Sequence, residues 1–314
     1  MTRWAAARPW LVRALTLAFV ALLIFLGVRY AHTIVWQDVA HALADTPAPT
    51  LIAASALAAT SHAIYSSFDL IGRAYTGHRL RAAQVLRTTF TSYAFNLNLG
   101  SLVGGIALRL RLYARQGLRY PTITRVVTLG IVTNWLGYLV LAGAVFLLAP
   151  PTPAPTWGVH RVQLQALGGA MLALAGVYVA VCLLAQRRRW RFRGALFKPP
   201  SPAIVGAQLL LSCANWAVMG ALLFVLFQGR LAYVTVLAVL LVAAVAGVLT
   251  HVPAGLGVLE AVFIALLSHQ LPAPALLAAL LTYRAVYYLA PLGLATVLYL
   301  LQEARRPPVR QTPA

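Results

Sequence analysis

The stretch Asn96–Arg115, NLNLGSLVGGIALRLRLYAR, sets two asparagines, Gly100, Ser101, Gly104 and Gly105 in the middle of an apolar segment and follows them with Arg109, Arg111 and Arg115. Arg73, Arg79, Arg81 and Arg87 stand on its other side. Basic residues beside apolar spans gather on the cytoplasmic face of a membrane, so a single crossing between these clusters would strand one of them outside. At about 1.5 Å per residue, the segment 88–108 is too short for two full crossings. A re-entrant hairpin that enters and leaves from the cytoplasmic face removes the conflict. Asn side chains and Gly turns suit it, because non-helical backbone at membrane depth survives only where protein or water satisfies its polar groups. Gly100-x-x-x-Gly104 and Ser101-x-x-x-Gly105 would let neighbouring backbones approach closely.

The rest of the chain supplies the membrane. Of 314 residues, 61% are hydrophobic and 10% charged, far more apolar surface than a water-soluble domain of this length can hide. Runs long enough to span hydrocarbon are expected at about 10–30, 50–71, 123–149, 164–185, 203–228 and 276–301. Ala40-His41-Ala42 imitates a signal-cleavage site but lies well beyond the first run, which is read as an uncleaved span. The expectation is an all-α, polytopic transmembrane helix bundle, one domain over residues 1–314, with six full spans and two broken segments, 88–108 and 232–270. The second contains VAGVLTHVPAGLGVLEAVFIALL, interrupted by Pro253, Gly255 and Gly257. Either two helices cross there or a second hairpin dips in from the external side, the arrangement expected of inverted repeats.

The net charge of +20 would suggest nucleic acid in a soluble protein. Here the basic residues sit at span ends, which points to anionic lipid headgroups and excludes nucleic acid as the expected partner. In this topology only Arg29, Arg161 and Arg230 fall outside and Arg284 falls within a span, so both termini are expected to be cytoplasmic. Cys182 and Cys213 lie in apolar spans, and the seven histidines lack zinc spacing, so no metal or cofactor is expected. There is no Gly-x-Ser-x-Gly, no His-Glu-x-x-His and no Walker lysine, so no catalytic residue and no ATP site is read.

Ionisable groups within spans cost roughly 2.5–3.5 kcal/mol on insertion scales, so each needs a reason. Glu260, after the Pro253, Gly255, Gly257 break, and Arg284, about two turns into the last span, can pair. Alternatively Glu260 caps a half-helix and Arg284 snorkels to the outer interface. Arg109, nearest the first hairpin, is the better candidate for a lipid phosphate, with Arg111 beside it. Asp69 and Arg73, at i, i+4, are expected to form a local ion pair. His62 and His251 are read as hydrogen-bonded structural histidines.

FNLNLGSLVGGIALRLRLYARQGL, VPAGLGVLEAVF and the terminal TYRAVYYLAPLGLATVLYLL together resemble the lysylphosphatidylglycerol synthase transmembrane-domain family, the membrane part of the multiple peptide resistance factor proteins and of stand-alone bacterial inner-membrane relatives. The resemblance runs from the first span to about Leu301. It implies a translocase that moves a phospholipid, anionic in character, between leaflets of the inner membrane rather than an enzyme. It puts Asn96, Asn98, Gly104, Gly105, Arg109, Arg111, Pro253, Gly255, Gly257, Glu260, Tyr283 and Arg284 forward as the lipid path. The soluble aminoacyltransferase domain of full-length members has no counterpart up to Ala314, so lysyl transfer is not expected. The competing reading is a non-transporting scaffold or regulator whose partner is a lipid-synthesis enzyme.

Overall fold

The computed structural model describes residues 36–150, 160–185, 190–192, 195–197, 199–250 and 255–304. The expected first span, His251, Pro253 and the C-terminal arginines lie outside the described residues. Among the described residues twelve helices follow one another: α1 (Trp36–Ala44), α2 (Ala48–Ser66), α3 (Phe68–Thr76), α4 (Ala82–Leu99), α5 (Leu108–Arg115), α6 (Tyr120–Leu148), α7 (Arg161–Leu184), α8 (Pro202–Leu226), α9 (Tyr233–Thr250), α10 (Val258–Leu267), α11 (Ala273–Tyr283) and α12 (Ala290–Ala304). Two π-helical segments, Ser101–Ala107 and Arg284–Leu289, join α4 to α5 and α11 to α12. A small antiparallel hairpin pairs Trp190–Phe192 with Ala195–Phe197 in the basic loop.

Among the described residues, six helical stretches are long and apolar enough to cross a membrane: Ala48–Thr76, Tyr120–Leu148, Arg161–Leu184, Pro202–Leu226, Tyr233–Thr250 and Ala273–Glu303. The fold is an all-α membrane bundle. Leu148, Leu184, Val162 and Leu210 remain more than 70% exposed, the pattern of side chains that face lipid. Tyr233–Thr250 lies inside the stretch expected to be broken, so that stretch divides unequally. Its first limb has 18 residues, enough for most of the hydrocarbon core, and its second, α10, has 10, about 15 Å of rise.

The opening stretch folds as an antiparallel helical hairpin. Gly100 stops α4 at φ 86°, ψ 166°, a conformation open essentially to glycine alone. The chain then doubles back along α4. Gly104 lies against the backbone of Phe95 and Asn96, the Tyr113 hydroxyl approaches Thr89 at 3.4 Å, and Gln116 donates to Thr88 at 2.7 Å. A Cβ on Gly104 would stand 2.3 Å from Asn96 N and the Phe95 carbonyl carbon, so only glycine permits this approach. The inward face of α4 is polar: Thr88, Thr89, Thr91, Ser92 and Asn98 are all fully buried. Thr89 and Asn98 return hydrogen bonds to the carbonyls four residues earlier. Close glycine contacts also fasten the larger helices, Gly137 of α6 on Ser212 of α8 and Gly143 of α6 on Gly168 of α7. The main apolar core, built on Leu222, Leu223, Phe227, Leu241, Phe263 and Leu280, joins α8 to α11.

Candidate functional site

Arg109, on the first turn of α5, is only 3% exposed. Its guanidinium faces Asp69 of α3, with Nε 3.6 Å from Oδ2. The Tyr113 hydroxyl, one turn further along α5, donates to the same oxygen at 2.8 Å. Arg109 also lies over the Tyr65 ring of α2, 5.6 Å from its centroid, a cation–π position. Gly130 of α6 leaves room for the pair: a Cβ there would sit 3.2 Å from Asp69 Oδ1. Neither Arg109 Nε nor Asp69 Oδ1 has a hydrogen-bond partner among the described residues. The expected Asp69 to Arg73 pair does not form. Asp69 is fully buried, while Arg73 is half-exposed in the last turn of α3.

The second pair is tighter. Arg284 opens the π segment between α11 and α12 and is 5% exposed. Its Nε donates to Glu260 Oε1, and its Nη2 donates to Glu260 Oε2 at 2.8 Å and to the Gly255 carbonyl at 2.9 Å. The guanidinium lies 5.6 Å from the centroid of Tyr288. Glu260 sits in the first turn of α10, where the helix dipole favours an anion. Of the two readings open at the sequence level, pairing is what the geometry holds, and Arg284 does not snorkel outward.

Tyrosines join the two pairs through the middle of the bundle. Tyr65 stacks on Tyr93 of α4 with centroids 3.5 Å apart. Tyr93 and Tyr287 share a hydroxyl hydrogen bond of 2.9 Å, and Tyr287 stacks on Tyr283 at 5.2 Å. Tyr283 meets Tyr288, beneath Arg284, edge-on at 5.7 Å. Ser61 of α2 shares a 2.8 Å bond with the Tyr287 hydroxyl and donates to Asn215 of α8. The π segment shifts backbone bonding to i→i+5, and two of its carbonyls are met from other helices. His62 Nε2 donates to Tyr287 O at 3.1 Å and Asn98 Nδ2 to Tyr288 O at 3.2 Å. Asn98 thereby ties the tip of the first hairpin to the π segment between α11 and α12.

The sequence-named residues thus divide. Asn98, Arg109, Gly255, Glu260, Tyr283 and Arg284 meet in or around this chain of contacts. Asn96 packs its amide over Gly105, and Gly104 serves the hairpin's close approach. Gly257 caps α10 at φ 76°. Arg111 points elsewhere, donating to Glu303 of α12 at 2.9 Å beneath Tyr299, and Arg115 donates to the same carboxylate. Sequence reasoning missed Tyr65, Tyr93, Tyr287, Ser61 and Asn215, which look like ordinary span residues. The readable sign was the repeated Arg-x-x-x-Tyr of Arg109/Tyr113 and Arg284/Tyr288. In the loop beyond α3, burial and the Arg73 guanidinium hold His78 below the ordinary imidazole pKa, and its Nδ1 accepts from Leu80 N.

Residues 11–295 match the family described as the lysylphosphatidylglycerol synthase TM region. The chain belongs to this family. It is 42% identical over 309 residues to "Inner membrane protein YbhN" of Escherichia coli (strain K12), covering 98% of this chain and 96% of that one. It is 30% identical over 271 residues to "Uncharacterized protein slr0712" of Synechocystis sp., covering 85% and 83% respectively. Both relatives match over most of their own length, so the resemblance seen in the hairpin and the Pro-Gly break extends across the whole bundle. Family membership gives this chain a lipid-related membrane setting.

Proposed function

We propose that this chain moves a phospholipid, anionic in character, between the leaflets of a bacterial inner membrane. The observation that carries the reading is the pair of buried arginine–carboxylate contacts linked by tyrosines inside a lipid-exposed bundle. A guanidinium binds phosphate oxygens in the same forked geometry in which it binds a carboxylate. Asp69 and Glu260 therefore act as resident stand-ins for lipid phosphate. With the carboxylates in place each pair is neutral and the centre stays dry. When a headgroup arrives, phosphate takes the arginine and the carboxylate turns to water admitted with the lipid.

The tyrosine, serine and asparagine groups between the pairs offer donors and acceptors along the route, which lowers the cost of a polar headgroup at that depth. The cytoplasmic position of both termini and the inward-facing first hairpin belong to the same proposal. No covalent chemistry is required of any residue.

The test is headgroup-resolved leaflet exchange in vesicles reconstituted with the purified chain. Exchange of an anionic phospholipid above that of empty vesicles is expected, falling at least tenfold in Glu260→Gln. Wild-type exchange equal to empty vesicles overturns the reading.

A further inference from the structure

A cavity of about 620 Å³ opens on the side of the bundle between α2, Phe90 of α4 and the start of α12. One wall runs along α2 from Leu51 through Ala58, Ala59 and Ala63 to Ser66, and the facing wall runs from Ala285 to Leu294. The α2 wall is about 22 Å long at 1.5 Å per residue. Spread over that length, the space its centre-line can occupy averages about 28 Å² in cross-section, about 6 Å across, and the ~1.4 Å radius of a water at each wall makes the groove about 9 Å wide. An α-helix is about 10–12 Å across with its side chains, so the groove is too narrow for a helix and wide enough for a fatty chain. Its length exceeds the roughly 15 Å of hydrocarbon in one leaflet. Alanines on the α2 wall keep it open and smooth.

Among the described residues the groove has one ionisable wall residue, His62, at the midpoint of the Ala48–Thr76 span and 2% exposed. Its Nε2 donates to the Tyr287 carbonyl, so that nitrogen carries the proton. Its Nδ1 is buried without a hydrogen-bond partner among the described residues. A cationic ring would leave an unpaired N–H there, so the ring is neutral and offers an acceptor alone. Such a histidine does not hold phosphate. Phenylalanine and tyrosine rings surround it, with Phe90, Tyr93 and Tyr287 centroids 5.6, 5.1 and 5.0 Å away. The chemistry of the groove is that of a hydrocarbon seat backed by the polar tyrosine network.

We infer that this groove is an acyl-chain site: it holds one fatty chain of a membrane phospholipid along α2 while the arginine sites deal with the headgroup. The inference deepens the proposed lipid function and rests on it. It divides the molecule into a tail seat on the lipid-facing side of His62 and Tyr287 and a headgroup route on the other.

The experiment uses the full chain in vesicles of phosphatidylethanolamine and phosphatidylglycerol containing a trace of phospholipid with a photoreactive diazirine on one acyl chain. Labelled sites are mapped by peptide mass spectrometry. Labelling concentrated on Leu51–Ser66 and Ala285–Leu294 is expected, reduced at least tenfold by Ala59→Trp. Ala63→Leu, a milder filling of the same wall, is expected to reduce it several-fold. Both variants must elute and melt like the wild type. Labelling spread evenly over all lipid-facing helices, or unchanged in both folded variants, overturns the inference. So does a disulfide between Ala59→Cys and a cysteine placed within residues 10–30 with the groove unlabelled, since the chain itself would then be the occupant. Leaflet exchange is read on the same vesicles. Groove labelling without exchange retains the tail seat and removes the translocation reading, whereas exchange without groove labelling does the reverse.

Discussion

Breaking the Asp69 to Arg109 pair one partner at a time separates what the pair does for the fold from what it does for lipid. Asp69→Asn leaves a guanidinium that cannot lose its proton, on a side chain 4% exposed, with only the Tyr65 ring and the Tyr113 region to solvate it. Stranding one member of a buried pair costs about 3–5 kcal/mol. Arg109→Met leaves instead a carboxyl that can be neutral by binding a proton and that keeps the Tyr113 hydrogen bond, so about 1–3 kcal/mol is expected. The order is the test: the aspartate variant must be the less stable. Replacing both, Asp69→Leu with Arg109→Met, removes both charges and should recover most of the loss, because apolar replacements of whole buried pairs are often neutral or stabilising. Unfolding titrations in mixed micelles measure all four proteins, and leaflet exchange is measured on the two that match in stability. If Arg109 handles phosphate, the double variant is stable yet exchanges at least tenfold more slowly. Additive destabilisation in the double variant would refute the buried-pair argument. Wild-type exchange by that variant would refute the role given to Arg109.

Gly104→Ala is expected to lower folded yield sharply, since its Cβ meets backbone at 2.3 Å, whereas Gly105→Ala meets only the end of the Asn96 side chain at 2.8 Å and should be milder; size-exclusion profiles and melting compare them. Asn98→Leu leaves the Tyr288 carbonyl without its cross-helix donor and is expected to destabilise by about 1–3 kcal/mol, read in the same titration. Tyr287→Phe removes a hydroxyl shared by Ser61 and Tyr93 but retains the stack on Tyr283, so a loss of about 1–2 kcal/mol with normal insertion is expected.

What could be read from sequence was what composition constrains directly. Gly100 and Gly104 mark a backbone that no other residue can build, so a break there was legible, as was the membrane setting. Glu260 and Arg284 stood out because a lone charge within a span demands an answer, and adjacent helices could supply it. Asp69 stood out for the same reason, yet its partner lies forty positions away on α5, and a local rule chose Arg73 instead. The tyrosines gave no warning, since Tyr93 or Tyr287 in an apolar run reads as packing until the neighbouring hydroxyl is located. Nor does any composition distinguish i→i+5 from i→i+4 bonding, so the π segments that free Tyr287 O and Tyr288 O were not visible. The division of 232–270 into an 18-residue and a 10-residue limb depended on where α9 ends, which Gly247 and Thr250 do not announce.

The two ion pairs share a design but not a strength, and that difference orders the events proposed for lipid passage. Arg284 uses a fork: both carboxylate oxygens of Glu260 and the Gly255 carbonyl are engaged at once. Arg109 makes one approach at 3.6 Å and leaves its own Nε and Asp69 Oδ1 without hydrogen bonds among the described residues. A phosphate displaces a carboxylate more readily where fewer bonds must break, so Arg109 is the first site to accept a headgroup and Arg284 the site that must be pried open. Lysine substitution tests the distinction, because an ammonium supplies point charge without the planar fork. Arg109→Lys should retain folding and a substantial fraction of exchange, since an ammonium can reproduce both the long charge contact with Asp69 and the cation–π contact with Tyr65. Arg284→Lys should lose the bidentate contact and the carbonyl bond together, lowering both melting and exchange. Equal tolerance at the two positions would mean that the fork around Arg284 contributes nothing that charge alone does not, and the ordering of the sites would fall.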